Sequence, residues 1–123
     1  RRALCLWPPD GSSPIEAFVA WPSGTLAFAT LGLLLPLSEE LFFRGFVYHA
    51  VERLAGAWPA ALLSTLAFVL LHLQQVWGNW GALVGIVLLS CACSLLRLVS
   101  GHWSVAAVAH LSYNGWLVWR SMA

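Results

Sequence analysis

Long apolar segments separated by short turn sequences constrain the fold of this chain more than any other feature. The clearest of these segments are residues 60–76, 82–98 and 103–119. Each approaches the roughly 20 residues that an α-helix needs to cross a bilayer. Turn-forming residues separate them, with Gly-Asn-Trp-Gly at 78–81 and a Ser-Gly pair at 100–101. The pattern therefore predicts helices that span a membrane.

The composition agrees with this interpretation. The chain is 60% hydrophobic and 9% charged, whereas a soluble domain is about one quarter charged. The excess apolar surface must face something other than water, and lipid is the simplest partner. A single domain of 123 residues has room for about four or five crossings. We therefore predict an all-α fold, a polytopic transmembrane helical bundle of about four to five helices.

The segments before residue 60 are less regular. Residues 1–20 contain several prolines and an Asp-Gly pair, which predicts a loop or interfacial lead-in, and the core domain is placed at 21–120. A first crossing begins at Ile15 or Trp21 and reaches Pro36, where a kink is expected before the helix continues through Leu54. Because the chain starts on Arg1 without a methionine, we expect it to be a segment of a longer protein.

Charge excludes one class of partner and suggests an orientation. The formal net charge is +1, and no basic cluster is longer than Arg1-Arg2, so we expect no nucleic acid partner. Arg53 and Arg97 would lie on the same side of the membrane. Positive residues favour the cytoplasmic side, which predicts that the loops near residues 55 and 100 are cytoplasmic.

Three of the few charged residues occur together, at Glu39, Glu40 and Arg44. Each costs on the order of 3 kcal/mol at the centre of a membrane helix, so their presence needs a reason. Glu40 and Arg44 are four residues apart on one helical face, within reach of a salt bridge. Glu39 is rotated by about 100° from Glu40 and is expected to point at a different neighbour.

Three further polar side chains interrupt the other apolar helices, namely His72, His110 and Asn114. Since lipid offers them no partners, we expect them to face a shared interior together with Glu39. A glutamate beside a histidine can hold and deprotonate a water molecule. A second histidine and an asparagine amide can donate hydrogen bonds to a developing oxyanion. This set of groups is suited to the attack of water on an amide.

Other functions remain open at this point. No Gly-x-Ser-x-Gly sequence provides a nucleophile for covalent acyl transfer. One glutamate and two histidines could bind zinc, but His-Glu-x-x-His is absent and the ligands would come from three helices, so hydrolysis assisted directly by glutamate is favoured over zinc. The alternative from another class is a non-catalytic membrane scaffold or transport accessory that uses the polar cluster for helix packing.

The order of the polar motifs resembles that of a known family. Glu-Glu-Leu-Phe-Phe-Arg at 39–44, Phe-Val-Leu-Leu-His at 68–72 and His-Leu-Ser-Tyr-Asn at 110–114 are similar to the EExxxR, FxxxH and HxxxN motifs of the CPBP family. This family comprises CAAX proteases and bacteriocin-processing enzymes and is also called the ABI domain. The resemblance covers roughly residues 22 to 120.

The resemblance implies a glutamic intramembrane endopeptidase without a cofactor, acting on a membrane-associated protein or peptide. Glu39 and His72 would activate water, and His110 and Asn114 would stabilise the oxyanion. Glu40 and Arg44 would hold the first helix in place. Eukaryotic CAAX proteases are considerably longer, and no groove for a prenyl chain is identified in the sequence, so prenylated substrates are not implied. The expected location is the bacterial plasma membrane.

Overall fold

The computed structural model describes residues 24–122 of the chain, and these residues are almost entirely helical. The elements are α1 (Gly24–Glu40), a π-helix (Leu41–Val47), α2 (Tyr48–Ala55), α3 (Ala57–His72), a 3-10 turn (Leu73–Gln75), α4 (Trp80–Ser100) and α5 (Trp103–Met122). No strand occurs within residues 24–122. The all-α prediction is therefore confirmed, while the proposed lead-in at 1–20 and the start of the first crossing lie outside the described residues.

The first three elements form one continuous helical rod. Both residues that flank the π-helix, Glu40 and Tyr48, have ordinary right-handed helical dihedral angles, so the chain direction does not break there. Pro36 lies inside α1 and does not end it. The rod stops at Gly56, whose φ of 90° lies in the region that favours glycine. Its last residue, Ala55, is one position beyond the predicted Leu54.

The later turns follow from their residue types. Gly101 ends α4 with a left-handed conformation, and its N–H donates to the carbonyl of Arg97. Asn79 caps the start of α4, because its side-chain oxygen accepts from the backbone N–H of Ala82 at 3.0 Å. These turns lie at the two positions, near 78–81 and 100–101, that the sequence predicts.

The distribution of polarity is that of a membrane protein. Two helical segments in the described part of the chain are long and apolar enough to span a membrane, Ala57–Gln75 and Trp80–Ser100. Within the most apolar 18 residues of these segments, only 22% and 17%, respectively, are buried inside the protein. The core helix of a soluble protein would be mostly buried. Large apolar side chains such as Leu62 and Leu88 are exposed. The predicted number of four to five crossings stays a prediction.

The π-helix lies at the centre of the helix packing. In the described chain α1 packs against α5, α2 against α3, α3 against α4, and α4 against α5. The π-helix contacts all five α-helices. Short π-helical segments occur frequently at functional sites. This segment carries Arg44, which is completely buried. The charged side chain therefore lies where the helices pack together.

Candidate active site

The carboxylate of Glu39 lies between two histidine rings. Its Oε1 atom is 3.4 Å from Nε2 of His72, and its Oε2 atom is 3.8 Å from Nε2 of His110. These residues come from the end of α1, the end of α3 and the middle of α5. The structure therefore brings together three of the residues that the sequence singles out. As expected from its rotation on the helix, Glu39 points at neighbours other than Arg44.

The orientation of His72 is determined by a backbone contact within its own helix. Its Nδ1 atom is 2.8 Å from the carbonyl oxygen of Phe68, one turn earlier. A carbonyl oxygen can only accept a hydrogen bond, so Nδ1 carries the hydrogen. In the neutral ring Nε2 then has a free lone pair. This nitrogen is the one that faces Glu39.

The ring of Phe68 packs against the polar side chains of the site. Its ring stacks on His72 with a centroid separation of 4.2 Å and meets the ring of His110 edge-on at 5.6 Å. The guanidinium of Arg44 lies 4.7 Å from the centre of the same ring. Phe68 is 1% exposed. A single buried aromatic side chain thus contacts both histidines and the arginine, and it limits the positions that their side chains can adopt.

The second glutamate holds His110 and Arg44 with one oxygen atom. Oε1 of Glu40 is 2.9 Å from Nδ1 of His110 and 3.1 Å from a terminal nitrogen of Arg44. Both Glu40 and Arg44 are 0% exposed. The predicted salt bridge between them is therefore present in the structure. A carboxylate oxygen that receives an arginine N–H acts as an acceptor, so Nδ1 of His110 is the donor in this contact.

Arg44 has a second set of partners that the sequence analysis missed. Its other terminal nitrogen donates to the hydroxyl of Ser90 at 2.7 Å, to the carbonyl of Ser90 at 2.9 Å and to the hydroxyl of Ser94 at 3.5 Å. The hydroxyl of Thr65 donates in turn to Ser94 at 2.7 Å. Ser90 and Ser94 are four residues apart on the apolar helix α4. That spacing of small hydroxyl residues was the signal that could have identified this face.

Asn114 lies one helical turn after His110 on α5, and its side chain reaches α1. Its Nδ2 atom donates to the carbonyl oxygen of Gly32 at 2.9 Å. The amide nitrogen carries two hydrogens, so this contact leaves one of them available. The described contacts place Asn114 beside the helix that carries Glu39. Its predicted role as an oxyanion donor stays a prediction.

A pocket makes the cluster accessible from outside the bundle. It has a volume of about 320 Å³ and exposes Glu39 and His72. The remaining lining residues are Ser38, Phe42, Phe43, Leu71 and Gln75. His110 is more deeply placed, with a side-chain exposure of 4% against 26% for Glu39. A molecule in this pocket would therefore meet Glu39 and His72 before His110.

By residue type, Glu39, His72 and His110 could also bind zinc. Within residues 24–122, no group of three His, Cys, Asp or Glu side chains is arranged to hold a metal ion.

The structure has the features of a membrane protein with a polar interior site: a buried ion pair, a glutamate between two histidines and an apolar exterior. The profile of the family described as type II CAAX prenyl endopeptidase Rce1-like matches residues 21–116. This match spans most of the chain, so the chain belongs to the Rce1-like family and is an integral membrane protease of the CAAX type. The predicted membership is confirmed. No curated protein and no solved structure gave a match.

Proposed function

We propose that this protein is an intramembrane endopeptidase in which Glu39 and His72 activate a water molecule to hydrolyse a peptide bond. The observation that supports the proposal best is the carboxylate of Glu39 with one oxygen directed at each histidine Nε2. The substrate is a membrane-associated protein or peptide. We propose the bacterial plasma membrane as the location.

The hydrogen-bonding pattern supports the assignment of the base. With Nδ1 of His72 bonded to the carbonyl of Phe68, the ring presents a lone pair at Nε2 beside an oxygen of Glu39. Water bound at the pocket face of this pair can donate one hydrogen to each acceptor, which increases its nucleophilicity. Glu39 takes the proton as the water oxygen attacks the peptide carbonyl. The same proton can then be delivered to the leaving amine nitrogen.

The oxyanion of the tetrahedral intermediate needs hydrogen-bond donors to stabilise it. His110 donates to Glu40 through Nδ1, so it can donate from Nε2 only when both ring nitrogens are protonated. In that form the ring would be positively charged, and the carboxylate of Glu40 lies 2.9 Å from its Nδ1 atom. The second hydrogen on Nδ2 of Asn114 is the other donor. A charged imidazolium and a neutral amide together would stabilise the developing negative charge.

The proposal is tested by cleavage of a panel of membrane-anchored peptides by the full-length protein in nanodiscs. Glu39→Gln keeps the shape of the side chain and removes the base, so the rate should fall by roughly 100-fold or more. His72→Ala should cause a loss of similar order. Glu52→Gln and His49→Ala are matched controls, because both residues lie on α2 in a separate contact near the protein surface.

The outcomes separate the candidate functions. Loss of cleavage in both site variants, with retained activity in both controls and in the presence of a chelator, supports glutamate catalysis. Activity that survives in Glu39→Gln would reject Glu39 as the base. Activity that disappears with the chelator and returns with added zinc would support the zinc alternative. A folded protein that cleaves no peptide in the panel would favour the scaffold or transport function.

A further inference from the structure

Pro36 creates an unusual backbone group in α1. In an α-helix the carbonyl of residue i accepts from the N–H of residue i+4, so Gly32 would normally pair with residue 36. Proline has no N–H and cannot make this bond. Pro36 nevertheless lies inside α1 and its side chain is fully buried. In an apolar surrounding a carbonyl without a donor is costly, so another donor is needed.

Asn114 is that donor. Its Nδ2 atom lies 2.9 Å from the oxygen of Gly32, although the two residues are 82 positions apart in the chain. α1 and α5 pack directly against each other. The side-chain amide of α5 therefore replaces the backbone bond that Pro36 removes from α1. We refer to the contact of Asn114 with the freed carbonyl of Gly32 as the α1–α5 clasp.

The clasp also determines which way the amide of Asn114 is turned. The oxygen of Gly32 can only accept, so the nitrogen of the amide and not its oxygen must face α1. If residue 36 had an N–H, that group would satisfy the carbonyl of Gly32 without Asn114. The amide of Asn114 would then lose less on rotating to present its own oxygen, which would repel an oxyanion.

We propose that Pro36 is a positioning residue that fixes the amide of Asn114 for oxyanion stabilisation by leaving the carbonyl of Gly32 for it. This inference rests on the proposed function. Pro36 acts through Asn114 and does not contact the substrate. It also lies one turn before Glu39, so the clasp joins the helix that carries the base to the helix that carries His110 and Asn114.

The clasp can be tested without any activity measurement. Thermal unfolding of the full-length protein in detergent is measured for Asn114→Ala, Pro36→Ala and the double variant. In the native background Asn114→Ala removes the side-chain donor to the carbonyl of Gly32, and the Tm should fall by roughly 4 to 8 °C. In the Pro36→Ala background the new N–H replaces it, and the same change should lower Tm by less than half as much. Pro36→Ala alone should leave Tm unchanged or raise it.

A matched control comes from the other proline in the described helices. Pro59 lies in the first turn of α3, where its missing N–H would have no helical partner in any case. Pro59→Ala should therefore leave the effect of Asn114→Ala unchanged. If Pro36→Ala does not fold, Pro36→Cys restores the same N–H with a volume closer to that of proline. Equal losses of Tm for Asn114→Ala in all backgrounds would overturn the proposal.

Peptide cleavage then tests the positioning role. Pro36→Ala should lower kcat by roughly 10-fold with little change in KM, because the loss is confined to oxyanion stabilisation. The double variant should be no slower than Asn114→Ala alone, since both changes act on the same group. An unchanged kcat in Pro36→Ala, with the Tm coupling present, would reject the positioning role. Failure of the proposed function itself would leave the Tm coupling intact.

Discussion

His110 and Glu40 are 70 residues apart in the chain, yet Nδ1 of the histidine lies 2.9 Å from Oε1 of the glutamate. The same oxygen receives Arg44 at 3.1 Å. One carboxylate oxygen thus joins α5 to the helical rod of α1, the π-helix and α2. The contact explains how a charged pair in an apolar bundle serves the site, because it both compensates Arg44 and orients His110 on the face that meets Glu39.

Glu40→Gln should strongly destabilise the protein. The change keeps the size of the side chain but leaves the charge of Arg44 without a counter-ion in a completely buried position. Breaking a buried ion pair from one side costs about 3 kcal/mol or more. Unfolding titrations in mixed detergent micelles would measure the change in the free energy of unfolding.

The matched control for this change is Glu52→Gln. Glu52 pairs with Arg97 at 3.5 Å, but its side chain is 35% exposed, so the expected cost is below about 1 kcal/mol. Similar losses in the two variants would contradict the inference that Glu40 is the essential counter-ion of Arg44.

Ser90→Ala should weaken the hydrogen bonding of the terminal nitrogen of Arg44 that does not contact Glu40. The substitution removes the 2.7 Å bond from Arg44 to the hydroxyl and leaves the backbone bond to the carbonyl of Ser90. A hydrogen bond to a charged group contributes about 1.5 to 3 kcal/mol, so a loss within this range is expected in the unfolding titration. Cleavage should also slow, because Arg44 holds Glu40 and Glu40 holds His110.

Ser112→Ala is the control for this hydroxyl. The Ser112 hydroxyl donates only to the carbonyl of Val108 in its own helix and is exposed, so its removal should change stability by less than about 0.5 kcal/mol. A neutral result for Ser90→Ala would mean that Ser94 and the backbone suffice to hold Arg44.

The sequence predicts which residues form the site better than it predicts the contacts that hold them in place. Glu40 and Arg44 share a face because of the helical repeat, so their pairing could be predicted from spacing alone. Ser90 and Asn114 find their partners on other helices, 46 and 82 residues away, and such pairs depend on how the helices pack. Local spacing carries little information about those contacts.

The path of the first helix shows the same limit. Pro36 was expected to allow a kink rather than a stop, and α1 continues through it to Glu40. The lost backbone bond is replaced by a side chain from α5, which a pattern within α1 could not reveal. The π-helix at 41–47 was likewise not predicted. Arg44 is the motif residue within it, and its spacing of four from Glu40 fits an α-helix as well as a π-helix. The sequence therefore does not distinguish the two.

Phe68→Leu should reduce activity more than stability. Leucine fills much of the same volume, but it removes the stacked contact with His72 and the edge contact with His110. Such aromatic contacts contribute about 0.5 to 1.5 kcal/mol beyond buried area, which corresponds to a rate loss of up to about 10-fold if it falls on the transition state. Steady-state cleavage with unfolding measured in parallel would separate the two effects.

Phe46→Leu provides the comparison, because Phe46 is 70% exposed and contacts neither histidine in the described structure. Its cleavage rate should equal that of the native protein. If both leucine variants lost activity to the same extent, the contact of Phe68 with the histidines would not be the cause.

Gly85 and Tyr113 predict a pairwise effect at the interface of α4 and α5. A Cβ atom added at Gly85 would lie 2.8 Å from the hydroxyl oxygen of Tyr113, and the next atom of that ring is 4.0 Å away. Gly85→Ala should therefore force the tyrosine hydroxyl to move, and because this atom is the far end of a half-buried side chain, the cost should be about 1 kcal/mol or less. Unfolding titration of this single variant measures the cost.

Tyr113→Phe removes the one atom that clashes, so Gly85→Ala should be tolerated in that background. The double variant is expected to recover most of the free energy of unfolding lost by Gly85→Ala, because the nearest remaining ring atom is at ordinary contact distance. Tyr113→Phe alone measures the contribution of the hydroxyl. If the losses of unfolding free energy in the two single variants simply add in the double variant, the hydroxyl of Tyr113 is not the cause of the loss. Gly85 would then be needed for another reason, because only the steric contact depends on both residues.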